Sequence, residues 1–92
     1  MGMKQKIMIV DDAEINRQIL MAILGDKYEY VQAENGCQAV HMLQHDLTID
    51  LILLDINMPE MNGFQMLERM NKFHWIDEIP VIMISSEEKR DI

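Results

Sequence analysis

The stretch LILLDINMPEMNG, from Leu51 to Gly63, carries an acid at the end of an apolar run and continues into a turn. The run LILL is typical of a strand buried on both faces, as in a parallel sheet. Pro59 and Gly63 are typical turn residues. The sequence therefore predicts that Asp55 ends a core strand at the mouth of a loop.

Similar apolar runs alternate with helical patterns along the whole chain. Strands are predicted at 7–10, 28–33, 51–54 and 79–85, with helices at 12–26, 38–45 and 64–73 between them and the start of a fourth helix after the last strand. This alternation predicts an α/β fold with a parallel sheet and helices on both of its faces. No linker or repeat interrupts it, so residues 1–92 are predicted to be one domain.

Each predicted helix has an apolar face that we expect to lie against the sheet. Gly25 is well placed to end the first helix, and Cys37 is expected to be a small core residue. The inward positions are Ile15, Ile19, Ala22 and Ile23 on the first helix, Ala39, Val40 and Leu43 on the second, and Phe64, Leu67 and Met70 on the third.

The composition limits the classes of partner. The formal net charge of −8 argues against a nucleic-acid-binding surface, which needs clustered lysine and arginine. No apolar run approaches the length of a membrane span, so no membrane partner is expected. Cys37 is the only cysteine, which excludes an internal disulfide and suits a reducing cytoplasm.

Polar side chains follow three of the four predicted strands. Asp11 and Asp12 follow the first strand, Asp55 the third, and Ser85 and Ser86 the fourth. In a sheet of order 2-1-3-4 these strand ends are neighbours, and ligands bind there. Three converging carboxylates repel one another, which raises their pKa values and favours a hard divalent cation such as Mg²⁺. A carboxylate can also act as a nucleophile toward a phosphoryl group.

Each of these residues also has a purely structural interpretation. Asp12 could cap the first helix, and Asp55 and Asn57 could be ordinary turn residues. Ser85 and Ser86 could begin a fourth helix. Their shared position at neighbouring strand ends favours the functional interpretation.

The strings IVDD, LLDINMPEMNG and PVIMISSEE resemble the three motif blocks of the receiver domain of two-component response regulators, including chemotaxis regulators. The resemblance spans essentially the whole chain, and it implies a flavodoxin-like doubly wound sheet. It implies that Asp55 accepts a phosphoryl group from the phosphohistidine of a sensor histidine kinase or a histidine phosphotransfer domain. Asp12 and Asp11 would hold Mg²⁺, with Asp55 and the backbone carbonyl of Asn57.

The same resemblance implies roles for four further residues. Ser85 would be the switch hydroxyl that follows the phosphoryl group, and Ser86 would allow its loop to approach the phosphate. Pro59 and Gly63 would shape the turn after Asp55. The implied protein is a cytoplasmic signalling domain rather than an enzyme, with only self-phosphorylation and self-dephosphorylation.

The chain departs from the family pattern after the fourth strand. The family has a fifth strand, which carries a lysine that pairs with the phosphate, and a fifth helix; no residue here is assigned to that lysine. The fourth strand is therefore expected to be an apolar edge, and such an edge can pair with another chain. We expect either a C-terminally truncated receiver or a unit completed by a homodimer or a domain swap through this strand.

Two other functions compete with the receiver interpretation. The first is a Mg²⁺-dependent phosphatase with an aspartate nucleophile, but such enzymes place a second acid two residues later, where Asn57 stands. The second is an interaction or dimerisation module that works without phosphorylation through the exposed fourth strand.

Overall fold

A four-stranded parallel sheet organises the protein, in a computed structural model that describes residues 4–46, 48–56, 62–73 and 78–84. The elements follow the predicted alternation of strands and helices. They are β1 (Lys6–Val10), α1 (Glu14–Leu24), β2 (Glu29–Ala33), α2 (Gly36–His45), β3 (Leu51–Asp55), α3 (Gly63–Lys72) and β4 (Val81–Ile84).

The strand order is β2-β1-β3-β4, which confirms the predicted topology. All three strand pairings are parallel, and β3 is in register with β1 on one side and β4 on the other, so that Asp55 lies opposite Ile84. The chain places β2 on one side of β1 and then crosses over to place β3 and β4 on the other side. The switch point in strand order therefore lies between β1 and β3. Because ligands bind at such a switch point, beyond the carboxyl ends of the strands, the topology points to the ends of these two strands.

The two faces of the sheet carry separate apolar clusters. On one face Met8, Val10, Ile52 and Leu54 pack with buried residues of α2 and α3. On the other face Ile7, Ile9 and Leu53 pack with partly buried residues of α1, among them Leu20, Met21 and Leu24. Alternate residues of β1 and β3 thus point to opposite clusters, which explains why both strands are continuously apolar.

The predicted inward face of α1 was wrong. Ile15, Ile19 and Ile23 are 66%, 49% and 73% exposed, and Ala22 is also exposed. The face against the sheet instead contains Arg17, Leu20, Met21 and Leu24, at spacings of three, one and three residues. The helix thus has two apolar stripes, and the leucine and methionine stripe is the one that meets β1 and β3.

The starts of α2 and α3 also differ from the sequence prediction. Asn35 caps α2, with its side chain accepting a hydrogen bond from the Gln38 amide, so that the helix begins at Gly36 rather than at the predicted position 38. Asn62 and Gln65 form a reciprocal capping box at α3. That helix buries Gly63, Met66 and Met70, which leaves Phe64 60% exposed, contrary to the prediction.

The position of Cys37 differs from the prediction. Cys37, expected in the core, is exposed on α2. Within the residues described, no helix has the length and apolar character needed to cross a membrane. On α2 the predicted inward residues Ala39, Val40 and Leu43 are all buried, as expected.

Candidate functional site

Three carboxylates meet at the carboxyl ends of β1 and β3. One oxygen from each of Asp11, Asp12 and Asp55 lies within 4.8 Å of the others. Asp11 and Asp55 are fully buried, and Asp12 is exposed. The sheet topology therefore brings together the three acids that the sequence predicted as neighbours.

Asp11 is held by hydrogen bonds on its backbone and on one carboxylate oxygen. Its amide donates to the Ala33 carbonyl of β2 at 3.0 Å. Its Oδ1 accepts from the Ala13 amide at 2.9 Å and from the Asn16 side chain at 3.5 Å. Its Oδ2 is buried and finds no hydrogen-bond partner among the described residues. One lone-pair-bearing oxygen is therefore left for a ligand of the site.

Burial raises the pKa of the Asp11 carboxyl above its ordinary value, against the lowering effect of the hydrogen bond from Ala13. The negative charges of Asp55 and, more weakly, Asp12 raise this pKa further. The physical cause is that a buried anion loses water and feels its like-charged neighbours. The pKa of Asp11 is therefore raised as predicted, but burial rather than repulsion between the carboxylates is the largest cause.

Asp12 does not cap the first helix. The residue at the helix N-cap is Ala13, and no side chain there accepts a hydrogen bond from the first turn. The structural alternative considered for Asp12 therefore finds no support, and its exposed carboxylate stands beside the two buried ones.

The end of β3 is fixed tightly around Asp55. The next amide, that of Ile56, donates to the Ile84 carbonyl of β4 at 3.0 Å, and the Ile56 carbonyl accepts from the Gly63 amide at 3.1 Å. Gly63, predicted in the turn, is the first residue of α3. A Cβ atom there would lie 2.8 Å from the Asp55 carbonyl oxygen, so glycine permits α3 to approach the strand end closely.

Arg17 is a buried cation beside this site that the sequence analysis did not single out. Its Nη1 donates to the Asp11 carbonyl at 2.7 Å, and its Nε donates to the Gln32 side chain at 2.9 Å. The sequence held a signal for it, because Arg17 precedes Leu20, Met21 and Leu24 at the spacing of one helix face. A cation on an apolar face needs a specific partner.

Four predicted site residues lie outside the described part of the chain. They are Asn57, Pro59, Ser85 and Ser86. The predicted start of a fourth helix lies outside it as well.

The three carboxylates fit a hard divalent cation. Mg²⁺ binds oxygen at about 2.1 Å in octahedral geometry, so two oxygens on one ion lie about 3.0 Å apart when adjacent and about 4.2 Å apart when opposite. One oxygen of each carboxylate lies within 4.8 Å of the other two, which is close enough for the three groups to share one such ion. The buried Asp11 Oδ2, without a partner in the described residues, is a suitable ligand. A cation would also offset the negative charges of Asp55 and Asp12, which add to the effect of burial in raising the pKa of Asp11.

Comparison with known proteins places this site in a family. Residues 7–92 match the family described as the response regulator receiver domain. The two-component response regulator ORR3 of Oryza sativa subsp. indica is 34% identical over 82 residues, which cover 88% of this chain and 63% of ORR3. The response regulator-like protein PRR37 of the same plant is 38% identical over 85 residues, covering 90% of this chain and 12% of PRR37.

Solved structures agree with the topology. Chemotaxis protein CheY4 of Vibrio cholerae superposes with a TM-score of 0.81 at 30% identity, covering 95% of this chain and 72% of CheY4. A receiver protein of Pseudomonas putida superposes with a TM-score of 0.82 at 20% identity, covering 97% of this chain and 74% of that protein, and supports the fold alone. The chain spans less than two thirds of the length of ORR3. With the fold, the acid cluster and the family match in agreement, the chain belongs to the response regulator receiver domain family.

Proposed function

We propose that this domain is a phosphoacceptor in a two-component phosphorelay, with Asp55 as the residue that is phosphorylated. The observation that carries the proposal is the position of Asp55, at the end of β3, with its carboxylate within 4.8 Å of two further acids. Membership of the receiver family supports the same assignment.

The proposed reaction is the transfer of a phosphoryl group from a phosphohistidine. A carboxylate oxygen of Asp55 forms a bond to phosphorus as the phosphorus–nitrogen bond breaks. The electron pair of the broken bond goes to the imidazole nitrogen. The ring leaves as neutral imidazole, and it takes a proton from solvent if its other nitrogen did not already carry one. The acyl phosphate is later hydrolysed by water, so that the domain returns to its starting state without turning over another substrate.

Asp11 and Asp12 are proposed to hold Mg²⁺ together with Asp55 and the Asn57 carbonyl. When bound, the ion would offset the charge on the transferring phosphoryl group. The buried Asp11 carboxylate has its Oδ1 engaged by the Ala13 amide, so that Oδ2 would be available to hold the ion. Asp12, exposed, completes the acidic side of the site.

Ser85 is proposed to donate a hydrogen bond to a phosphoryl oxygen from the neighbouring strand end, and Ser86 is proposed to let its loop approach the phosphate. Support comes from the register, because Ile84, the last residue of β4, lies opposite Asp55. Serine hydroxyls donate hydrogen bonds to such oxygens. Pro59 and Gly63 are proposed to shape the return of the chain from Asp55 to α3.

The proposed donors are a sensor histidine kinase or a histidine phosphotransfer domain. The relatives bear the names of two-component response regulators, which supports this class of donor. The lone cysteine suits a cytoplasmic setting for the exchange.

Intact-mass spectrometry after incubation with acetyl phosphate tests the proposal. We expect one added phosphoryl group in the parent chain with Mg²⁺, and none with a chelator or in Asp55→Asn. An Asp46→Asn variant is the matched control, because Asp46 is an acid at the opposite end of the sheet near Lys6. Equal phosphorylation of parent and Asp55→Asn, or no phosphorylation of a folded parent, contradicts the proposal.

We propose, as a second function, that β4 is a pairing edge for another copy of this chain, with or without phosphorylation. Within the described residues β4 pairs only with β3, and its Ile82 is 50% exposed. A strand edge with apolar side chains favours association. Sedimentation equilibrium tests it: we expect a dimer that Ile82→Lys dissociates, and a monomeric parent at high concentration contradicts it.

A further inference from the structure

Arg17 is a buried cation placed directly behind the acidic site. Its side chain lies on the sheet-facing side of α1 and is only 7% exposed. Within the part of the chain that the structure describes, it forms no ion pair with a carboxylate. Burying a guanidinium without a counter-ion is costly, so its hydrogen bonds are expected to serve a specific purpose.

Those hydrogen bonds fix the peptide that joins the two neighbouring acids. Nη1 of Arg17 donates to the Asp11 carbonyl at 2.7 Å, and the Asp11 amide donates to the Ala33 carbonyl at 3.0 Å. Both polar backbone groups of Asp11 are therefore held, one by β2 and the other by α1. The peptide between Asp11 and Asp12 cannot rotate without breaking the bond to Arg17.

The guanidinium is itself held in place. Its Nε donates to the Gln32 side chain of β2 at 2.9 Å. A planar group with several fixed donors can span two acceptors in this way, whereas a lysine ammonium is a flexible point donor. Arg17 contacts the carbonyl side of Asp11, so that it leaves the Asp11 Oδ2 atom open.

We infer that Arg17 is a positioning residue that sets the affinity of the site for Mg²⁺ by orienting the Asp11–Asp12 peptide. The inference rests on the proposed function, because it concerns the cation that the acids are proposed to hold. Groups that orient metal ligands without touching the metal typically change affinity by about 10- to 100-fold.

The test measures Mg²⁺ dissociation constants by calorimetry together with the metal-free ¹⁵N shift of the Asp12 amide. This amide belongs to the peptide whose carbonyl accepts from Arg17, so its shift reports loss of that bond. We expect Arg17→Met to move the signal and weaken binding about tenfold. We expect Gln32→Ala and Arg17→Lys to give smaller changes in both quantities, and Gln18→Ala, an exposed position on the same helix, to change neither.

The outcomes separate the inference from a merely structural role. A variant in which the Asp12 signal moves while the dissociation constant stays parental overturns the inference. If Arg17→Met fails to fold, parental binding in both Arg17→Lys and Gln32→Ala overturns it as well. A folded parent that binds no Mg²⁺ contradicts the proposed function itself, whereas tight binding in the parent and in every variant contradicts the role of Arg17 alone.

Discussion

Gly63, the first residue of α3, lies against the backbone of Asp55 so closely that a Cβ atom would be 2.8 Å from the Asp55 carbonyl oxygen. The same Cβ would be 3.0 Å from the Ile56 Cα and 3.1 Å from the Met83 side chain. Backbone atoms cannot move aside as a flexible side chain can. A larger side chain at the start of α3 would therefore displace the end of β3, which carries Asp55.

We expect Gly63→Ala to destabilise the fold by roughly 1–3 kcal/mol, the usual cost of overpacking. It should also slow phosphorylation of Asp55, since the strand end must shift. Gly25→Ala is the matched control: its φ of 89° strains alanine, but nothing lies within 4 Å of the new Cβ. Urea unfolding measures the loss of stability, and the rate of phosphorylation measures the effect on Asp55. Equal slowing in Gly63→Ala and Gly25→Ala would contradict a coupling between the start of α3 and Asp55.

Asp11→Asn should stabilise the cation-free protein at neutral pH by about 1 kcal/mol, a common gain when a functional site is neutralised. The pKa of Asp11 is raised in the folded state. Ionised Asp11 therefore weakens the fold, an effect that is absent below the unfolded pKa of 3.8 and develops as pH rises through the folded pKa. Unfolding curves of parent and variant should converge near pH 3. If the parent were more stable than Asp11→Asn at pH 7 without Mg²⁺, a raised pKa of Asp11 in the folded state would be contradicted.

Mg²⁺ should stabilise the parent by about 2.7 kcal/mol when the ion is present at 100 times its dissociation constant, because it binds only the folded state. In Asp12→Asn and Asp11→Asn this gain should shrink or vanish, since a carboxylate ligand is lost. Thermal unfolding with Mg²⁺ and with a chelator measures the gain. Na⁺ at equal ionic strength is the control, and equal stabilisation by both salts would show screening rather than binding.

Asp46 should titrate with a pKa of about 2, held down by the Thr48 hydroxyl and amide and then by Lys6. The lowered pKa means that these contacts support the fold above the unfolded pKa of 3.8 and lose their effect as pH falls through about 2. Carboxyl ¹³C titration by NMR gives the midpoint. Thr48→Ala should raise it toward the ordinary value, and an unchanged midpoint in that variant would exclude the hydroxyl as the cause.

The sequence was sufficient to predict the sheet and the convergence of acids. Short apolar runs mark the strands, and the alternation with helices leaves few topologies. Once β1 and β3 are neighbours, Asp11, Asp12 and Asp55 must meet at one edge, as they do.

The orientation of two helices could not be predicted from the same patterns. In α1 an isoleucine stripe and a leucine and methionine stripe that also carries Arg17 both could meet the sheet, and a local apolar pattern favours the isoleucine stripe, which is exposed in the structure. In α3 the close approach of Gly63 to Asp55 sets the rotation of the helix and turns Phe64 outward. Both choices depend on contacts between elements, which a local pattern does not contain.

Locating the phosphoryl group on the chain tests whether Asp55 is the residue that is phosphorylated. The chain is incubated with Mg²⁺ and a phosphodonor, reduced with borohydride to trap the acyl phosphate, and cut with trypsin. Cleavage puts Asp11 and Asp12 in peptide 7–17 and Asp55 in peptide 28–69, because no lysine or arginine lies between Lys27 and Arg69. Tandem mass spectrometry then distinguishes Asp55 from Asp46 and Asp50. We expect reduction at Asp55 alone and only with Mg²⁺. A reduced residue in peptide 7–17, or at another acid of peptide 28–69, would contradict phosphorylation of Asp55.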